Sequence, residues 1–167
     1  MLGNLTLATA AHMAQKILVV FYSRTGTTRK IANALTVALQ CDVEEIVLAE
    51  DPRSFLGTAI AALRRRPARI AAASHDPSSY DLVVIGTPVW AWSVSSPVRT
   101  YMVENARRLP QVAFYCTLGG RGDKRALAQM QELAGKVPRA TVAFGAHDVL
   151  AGRYPAALGQ FVDALKR

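Results

Sequence analysis

Apolar and polar residues follow two alternating periods along the chain. Residues 17–22 form an unbroken apolar run rich in β-branched and aromatic side chains, which predicts a buried strand. Directly downstream, apolar residues recur at i, i+3, i+4, i+7 and i+8, the spacing of one helical face: Ile31, Ala34, Leu35, Ala38 and Leu39. The short polar loop between these elements therefore joins the carboxyl end of a strand to the N-terminus of a helix.

The alternation continues to the end of the chain. Further strands are predicted at residues 42–48, 81–86, 111–116 and 140–144. The strand at residues 42–48 has a polar pattern that is typical of an edge strand. Helices between and after them are expected to open at Ser95 or Ser96 with Pro97, and at Pro155. Their predicted inward faces are Val98, Tyr101 and Met102, then Leu127, Met130, Leu133, Ala134 and Val137, then Leu158, Phe161, Val162 and Leu165. This alternation predicts an α/β fold, a five-stranded doubly wound parallel sheet in the order 2-1-3-4-5, with its switch point between strands 1 and 3.

The first residues do not share the alternating pattern. Residues 1–15 contain no Lys or Arg, so they lack the basic start of a signal peptide, and they are too short and polar to span a membrane. We expect an N-terminal extension there, either disordered or derived from a cloning tag, with Met13 as a candidate native start. Residues 16–167 are then a single domain, since the chain is too short for two.

The segment between the second and third predicted strands is the least regular part of that domain. Phe55, Ile60 and Leu63 predict a helix, and Pro67 is expected to end or kink it. Residues 75–79 predict an exposed turn before the third strand.

The loop after the first strand is rich in hydroxyl groups. It reads Ser23, Arg24, Thr25, Gly26, Thr27 and Thr28. Free backbone N–H groups and the helix dipole favour an anion at this position, and the hydroxyls add donors suited to a terminal phosphate. The loop lacks the lysine of a Walker motif and two of the three glycines of a dinucleotide fingerprint. Ser and Thr are also ordinary helix caps, so the loop alone leaves a purely structural role open.

A second loop favours the ligand interpretation. It follows the strand at residues 81–86 and holds both tryptophans of the chain: Thr87, Pro88, Val89, Trp90, Ala91 and Trp92. A tryptophan at a strand's carboxyl end packs either on the protein or on a flat ligand, and the pair indicates a ligand wall. Both loops are expected at the switch point, where doubly wound sheets bind their ligands.

These loops resemble those of the flavodoxin family, FMN-binding proteins of the short-chain type. The hydroxyl loop resembles the family's phosphate loop, and Thr87 to Trp90 resembles the loop beside the isoalloxazine ring. A third loop resembles the remaining flavin loop: Thr117, Leu118, Gly119, Gly120, Gly122 and Asp123. The likeness covers residues 16–167, and the last strand lacks the insertion of about 20 residues found in long-chain members. The resemblance implies FMN as cofactor, with the chemistry on the flavin and no catalytic side chain.

Charge and the third loop depart from that family pattern. The third loop offers only Leu118 where electron-transfer flavodoxins commonly place an aromatic, so one ring face is expected to be open to a substrate. The family is typically acidic, whereas this chain carries a net charge of +8, with 20 basic and 12 acidic residues. Part of the excess is clustered at Arg64, Arg65, Arg66 and Arg69, and at Arg107 and Arg108. This charge fits either a solvated face or a docking patch for an acidic partner or anionic lipid. Nucleic acid is disfavoured because no motif accompanies the charge.

The remaining reactive residues give weaker signals. Cys41 and Cys116 match no metal-ligand spacing and no C-x-x-C motif, and we expect them to be small buried hydrophobes in a reducing, cytoplasmic setting. No metal site is predicted. His147 and Asp148 follow the last strand, where they form either a surface pair or a group near the ligand.

Three functions remain open from the sequence. The first is an FMN-dependent oxidoreductase that passes electrons from a reduced nicotinamide or protein donor to a quinone or similar acceptor. The second is a non-enzymatic flavodoxin electron shuttle. The third is a flavodoxin-like binding module that has lost its flavin.

Overall fold

The sheet sets the position of every functional loop. The computed structural model describes residues 15–49 and 67–167. In these residues the parallel strands follow the order β2-β1-β3-β5-β6, and β4 pairs antiparallel with the end of β3. The strands are β1 (Ile17–Phe21), β2 (Asp42–Glu45), β3 (Leu82–Trp90), β4 (Ser93–Val94), β5 (Gln111–Leu118) and β6 (Thr141–Gly145). With β4 set aside, this is the predicted order 2-1-3-4-5, which is confirmed.

Helices cover both faces of the sheet. They are α1 (Thr27–Leu39), α2 (Ser96–Asn105), α3 (Asp123–Ala134), α4 (Ala146–Leu150) and α5 (Pro155–Lys166). Leu18 and Val20 of β1 belong to the core cluster that includes α2 and α3. Val19 and Phe21 belong to the opposite cluster, which includes α1 and α5. Because strand side chains alternate between faces, one apolar run fills two cores.

A close contact inside the sheet fixes one glycine. Gly86 of β3 pairs with Tyr115 of β5, and a Cβ built on Gly86 would lie only 2.0 Å from Tyr115 Cζ. The Tyr115 ring therefore occupies the space above Gly86. Its hydroxyl donates to the backbone oxygen of Thr28, at 3.3 Å, in the first turn of α1.

Several predicted boundaries and orientations differ from the structure. The second strand ends at Glu45 rather than at residue 48, and Leu48 instead forms an isolated antiparallel bridge with Ile70. Val137 was predicted to face inward, but it is 82% exposed, because α3 ends before it. Gly135 caps that helix in the left-handed region, with φ 62°, and this stop signal was missed. Ala38 is exposed rather than inward.

Some predictions fall on residues that the structure does not describe. The helix with Phe55, Ile60 and Leu63, the cluster Arg64 to Arg66, and residues 1–14 all lie outside the described ranges. Within those ranges, no helix combines the length and apolar character needed to cross a bilayer.

Candidate functional site

The hydroxyl loop leads directly into the N-terminus of α1. Gly26 adopts a left-handed conformation, with φ 91°, immediately before the helix starts at Thr27. Its backbone N–H donates to Ser23 Oγ at 3.1 Å, which closes the loop. The N–H groups of the first helical turn have no intrahelical acceptor, so they remain donors for an anion. The backbone conformation thus supplies the anion-binding arrangement that the sequence predicts.

The hydroxyls of this loop point in different directions. Arg24 and Thr25 are exposed, and Thr25 Oγ1 lies 3.5 Å from Thr27 Oγ1. Thr28 is only 1% exposed, and its Oγ1 lies 2.8 Å from Thr117 Oγ1, at the end of β5. If Thr28 accepts from Thr117, its own proton is left for another acceptor. In this structure Thr28 joins the first loop to the third.

The tryptophan loop proves to be a β-hairpin. β3 continues through Thr87, Pro88 and Val89 to Trp90, and β4 returns alongside it, pairing Val89 with Val94 and Trp90 with Ser93. The prediction that residues 87–92 form a loop is therefore wrong for the first four of them. Ala91 and Trp92 make the turn, with φ 47° and 59°. Positive φ at both central residues is typical of a type I′ hairpin turn, although Asn or Gly usually occupies these positions.

Polar side chains hold this hairpin in place. Gln129 of α3 accepts hydrogen bonds through Oε1 from Ser93 Oγ, at 2.7 Å, and from the Val94 backbone N, at 3.1 Å. Beneath it, the Ser95 backbone N donates to Thr87 Oγ1 at 3.1 Å, and both residues are fully buried. The hairpin is thus anchored to the helix that follows the third loop.

The two tryptophans occupy different environments. Trp90 is half-buried and packs edge-on against Tyr22, with ring centroids 5.6 Å apart. Trp92, at the turn, is 60% exposed. Tyr22 directly precedes the hydroxyl loop, so its contact with Trp90 brings the first two loops together. Much of the Trp90 ring is therefore covered by packing on the protein, whereas most of the Trp92 side chain is exposed.

The third loop borders both of the others. Gly119 and Gly120 have open space around them, since a Cβ built on either would meet nothing within 4 Å. Gly122 has φ 112°, and a Cβ there would lie 2.6 Å from Trp92 Cα, so only glycine fits against the hairpin turn. Asp123 begins α3. The three predicted loops therefore meet at the carboxyl edge of the sheet.

Sequence reasoning missed three residues that assemble this site. Tyr22 was assigned only to a strand, although its place just before the hydroxyl loop was a usable signal. Tyr115 and Gln129 act through contacts made far along the chain, and nothing in their local sequence indicates those contacts.

The thiols and imidazoles contribute little to the site. Cys116 is fully buried, and burial raises the pKa of its thiol to about 12, so it stays neutral. Cys41 is only half-buried, so the prediction that it is buried is wrong. Its partial burial still raises the pKa of its thiol to about 11. The His147 side chain is 88% exposed, and its Nδ1 lies 3.8 Å from Asp148 Oδ1 at the surface. Arg153 forms an ion pair with the same carboxylate. Within residues 15–49 and 67–167, no three His, Cys, Asp or Glu side chains are grouped to hold a metal.

The sequence also matches a family model. The model is described as Flavodoxin and matches residues 16–153, most of the chain. This chain belongs to the flavodoxin family. No relative is found among curated proteins.

Solved structures with similar folds agree with that membership. A flavoprotein from Lactobacillus acidophilus NCFM, crystallised with FMN, is 24% identical with a TM-score of 0.66, covering 83% of this chain and 98% of its own. A protein from Bacteroides uniformis is 18% identical with a TM-score of 0.69, and the match covers 90% of this chain and 99% of that one. An NADH:FMN oxidoreductase in its apo form is 16% identical with a TM-score of 0.53, covering 90% and 87%. At these identities the likeness shows the fold.

Proposed function

We propose that this flavodoxin-family protein binds FMN and works as an oxidoreductase at the carboxyl edge of its sheet. Support comes first from the meeting of the three loops, which the Thr28–Thr117 contact of 2.8 Å joins. Family membership and the FMN in the similar Lactobacillus flavoprotein support the same cofactor. The edge also lies at the switch point between β1 and β3, the usual ligand position in such sheets.

The phosphate of FMN is assigned to the hydroxyl loop. The backbone N–H groups at the start of α1 have no side-chain cap, and the exposed Thr25 has its Oγ1 3.5 Å from Oγ1 of Thr27, the first residue of that helix. Ser23 fixes the loop by accepting from Gly26, and Arg24 adds positive charge nearby. Hydrogen bonds to a charged group contribute about 1.5–3 kcal/mol each, so the phosphate should supply much of the affinity.

The flavin ring is assigned to the space between the hairpin and the third loop. Backbone at Gly119 and Gly120 is uncovered, so a flat ring can approach without a side chain in the way. Trp90, Trp92 and the half-buried Leu118 supply apolar surface. Leu118 is smaller than an aromatic residue, which leaves more of one ring face accessible to a second substrate.

FMN supplies the redox chemistry, while the protein binds and orients it. Cys116, at the end of β5, stays neutral because burial raises its pKa to about 12, so it is unsuited to act as a nucleophile. The donor in this proposal is a reduced nicotinamide or a protein, and the acceptor is a quinone or a similar molecule. A non-enzymatic electron shuttle is the second candidate, and the exposed Trp92 at the site's rim favours it because proteins often dock on exposed aromatics.

The experiment combines spectroscopy with turnover. The purified protein is freed of bound flavin, titrated with FMN, and then mixed anaerobically with NADH or NADPH, followed by a quinone. We expect a flavin spectrum at one FMN per chain, bleaching by a nicotinamide and recovery on adding quinone. A flavin that binds but is bleached only by a reduced protein donor would support the shuttle, and no FMN binding would contradict both candidates.

A further inference from the structure

The carboxyl edge of the sheet concentrates positive charge around the three loops. Arg121, Lys124 and Arg125 lie in the third loop and the first turn of α3, and all are exposed. Arg24 is exposed in the hydroxyl loop. Asp123 is the only acidic residue in these two loops or the hairpin. The N-termini of α1 and α3 add their positive dipole ends to the same edge.

Among the residues that the structure describes, no ion pair neutralises this charge. Arg29, in the first turn of α1, is paired with Glu45, whereas Arg24, Arg121, Lys124 and Arg125 have no ion-pair partner among the described residues. Arg153 near this edge pairs with Asp148, whereas Lys30 and Arg99 make hydrogen bonds to neutral groups: Lys30 donates to the Val149 backbone oxygen at 3.0 Å, and Arg99 donates to Ser93 Oγ at 3.2 Å. Within residues 15–49 and 67–167, Arg121, Lys124 and Arg125 are therefore cations without an ion pair beside the site that we assign to the flavin, and Arg24 lies in the loop assigned to its phosphate.

Contacts between the loops place these cations on one surface. Gly122 lies directly against Trp92, so the residues on either side of it border the hairpin turn. Thr28 and Thr117 are in contact, so the hydroxyl loop that carries Arg24 meets the third loop that carries Arg121. The exposed indole of Trp92 lies beside Gly122, next to Arg121 in the chain, and both Trp and Arg are enriched at the energetic centres of protein interfaces.

We infer that the basic rim formed by Arg121, Lys124 and Arg125 around Trp92 is the docking surface for an acidic redox protein. The inference rests on the proposed function, because it assigns the partner of the same site. Opposite charges steer encounter and raise the association rate, and the effect falls with salt.

Cytochrome c offers a matched pair of probes. The native protein is basic, and the succinylated protein has the same haem but an acidic surface. Bound FMN is first reduced anaerobically, and each ferric haem then takes one electron from the reduced flavin to become ferrous. The rate constant is followed by haem absorbance at several salt concentrations. We expect the succinylated form to react about tenfold faster or more at low salt, with the difference disappearing at high salt.

A pair of charge-matched variants separates the rim from the overall charge of +8. The rim variant is Arg121→Gln/Lys124→Gln/Arg125→Gln. The control is Arg107→Gln/Lys166→Gln/Arg167→Gln, which removes the same charge from exposed positions after α2 and at the end of α5, at the opposite edge of the sheet. The rim variant should lose about tenfold in rate with the succinylated probe, and the control should lose much less. Equal losses in both variants, or equal rates with both probes, would overturn the inference.

A binding measurement on the flavin-free protein tests the docking surface independently of FMN binding. Titration calorimetry of the flavin-free protein with each cytochrome should show salt-sensitive binding of the succinylated form alone, weakened in the rim variant. If FMN did not bind, the proposed function would be contradicted, but the calorimetric test of cytochrome binding could still be interpreted. Absence of any preference for the succinylated form would contradict the docking surface even where FMN binds.

Discussion

The hydroxyls of Thr28 and Thr117 lie 2.8 Å apart, both buried, where the first turn of α1 meets the carboxyl end of β5. The two residues are separated by 89 positions in the chain. Their contact fixes the spacing between the loop assigned to the phosphate and the loop assigned to the ring. A buried hydroxyl group needs a hydrogen-bond partner, and each of these two residues provides that partner for the other.

Replacing one member of this pair should destabilise the protein more than replacing both. Thr28→Val or Thr117→Val leaves the other hydroxyl buried without a partner, at a cost of about 1–3 kcal/mol in the free energy of unfolding. The double variant removes both polar groups with little change in shape, so it should recover most of that loss. Urea unfolding of the four proteins measures the coupling. Strictly additive effects would show that the two hydroxyls do not interact.

A methyl group at Gly86 should disrupt the centre of the sheet. Its Cβ would lie 2.0 Å from Tyr115 Cζ, and the ring cannot move far in a fully buried position. We expect Gly86→Ala to lower the free energy of unfolding by about 1–3 kcal/mol or more. Gly159→Ala is the control, since a Cβ there meets nothing within 4 Å, in an exposed part of α5. That change should stabilise the helix by about 0.5–1 kcal/mol. Equal effects of the two substitutions would contradict the close packing.

The tryptophans should report flavin binding. Stacking on a flavin quenches indole emission, so titrating the flavin-free protein with FMN should dim the tryptophan fluorescence until one equivalent is bound. Trp90→Leu and Trp92→Leu, compared with each other, assign the quenching to one ring. We expect both variants to weaken FMN binding, since both indoles border the assigned ring site. If neither variant altered the quenching or the affinity, the hairpin would not contact the flavin.

The rim charge should also raise the reduction potential of the bound flavin. Reduction adds negative charge to the ring, and nearby cations stabilise it, although solvent screens exposed side chains. Removing one such cation with Arg121→Gln should therefore lower the two-electron potential, by on the order of 10–30 mV. Arg107→Gln, after α2, should leave the potential unchanged. Anaerobic titration against a reference dye measures both, and a rise in the Arg121→Gln potential would contradict the sign.

Strand positions were predictable because the inner strands of a parallel sheet are apolar on both faces. The run at residues 17–22 and the polar pattern at residues 42–45 correctly distinguish a central strand from an edge strand. The order of the strands followed from the alternation of strands and helices, which matches the doubly wound pattern. Local sequence was enough here because burial itself imposes the pattern.

The hairpin was not predictable in the same way. Thr87, Pro88 and the Trp pair have the composition of a loop, and the turn uses Ala91 and Trp92 with positive φ, where Gly or Asn is usual. The turn is stabilised by Gln129, 36 residues after Ser93, a contact that no local pattern encodes. The candidate site therefore was located by sequence, while its internal geometry depends on long-range contacts.

The most direct measurement compares the affinities of the flavin-free protein for FMN and for riboflavin. Riboflavin carries the same ring without the phosphate, so it tests the hydroxyl loop against the rest of the site. We predict that FMN binds at least about tenfold more tightly, and that Thr25→Ala reduces this preference by removing one donor to a charged group. Equal affinities for the two flavins would contradict the assignment of the hydroxyl loop as the phosphate site.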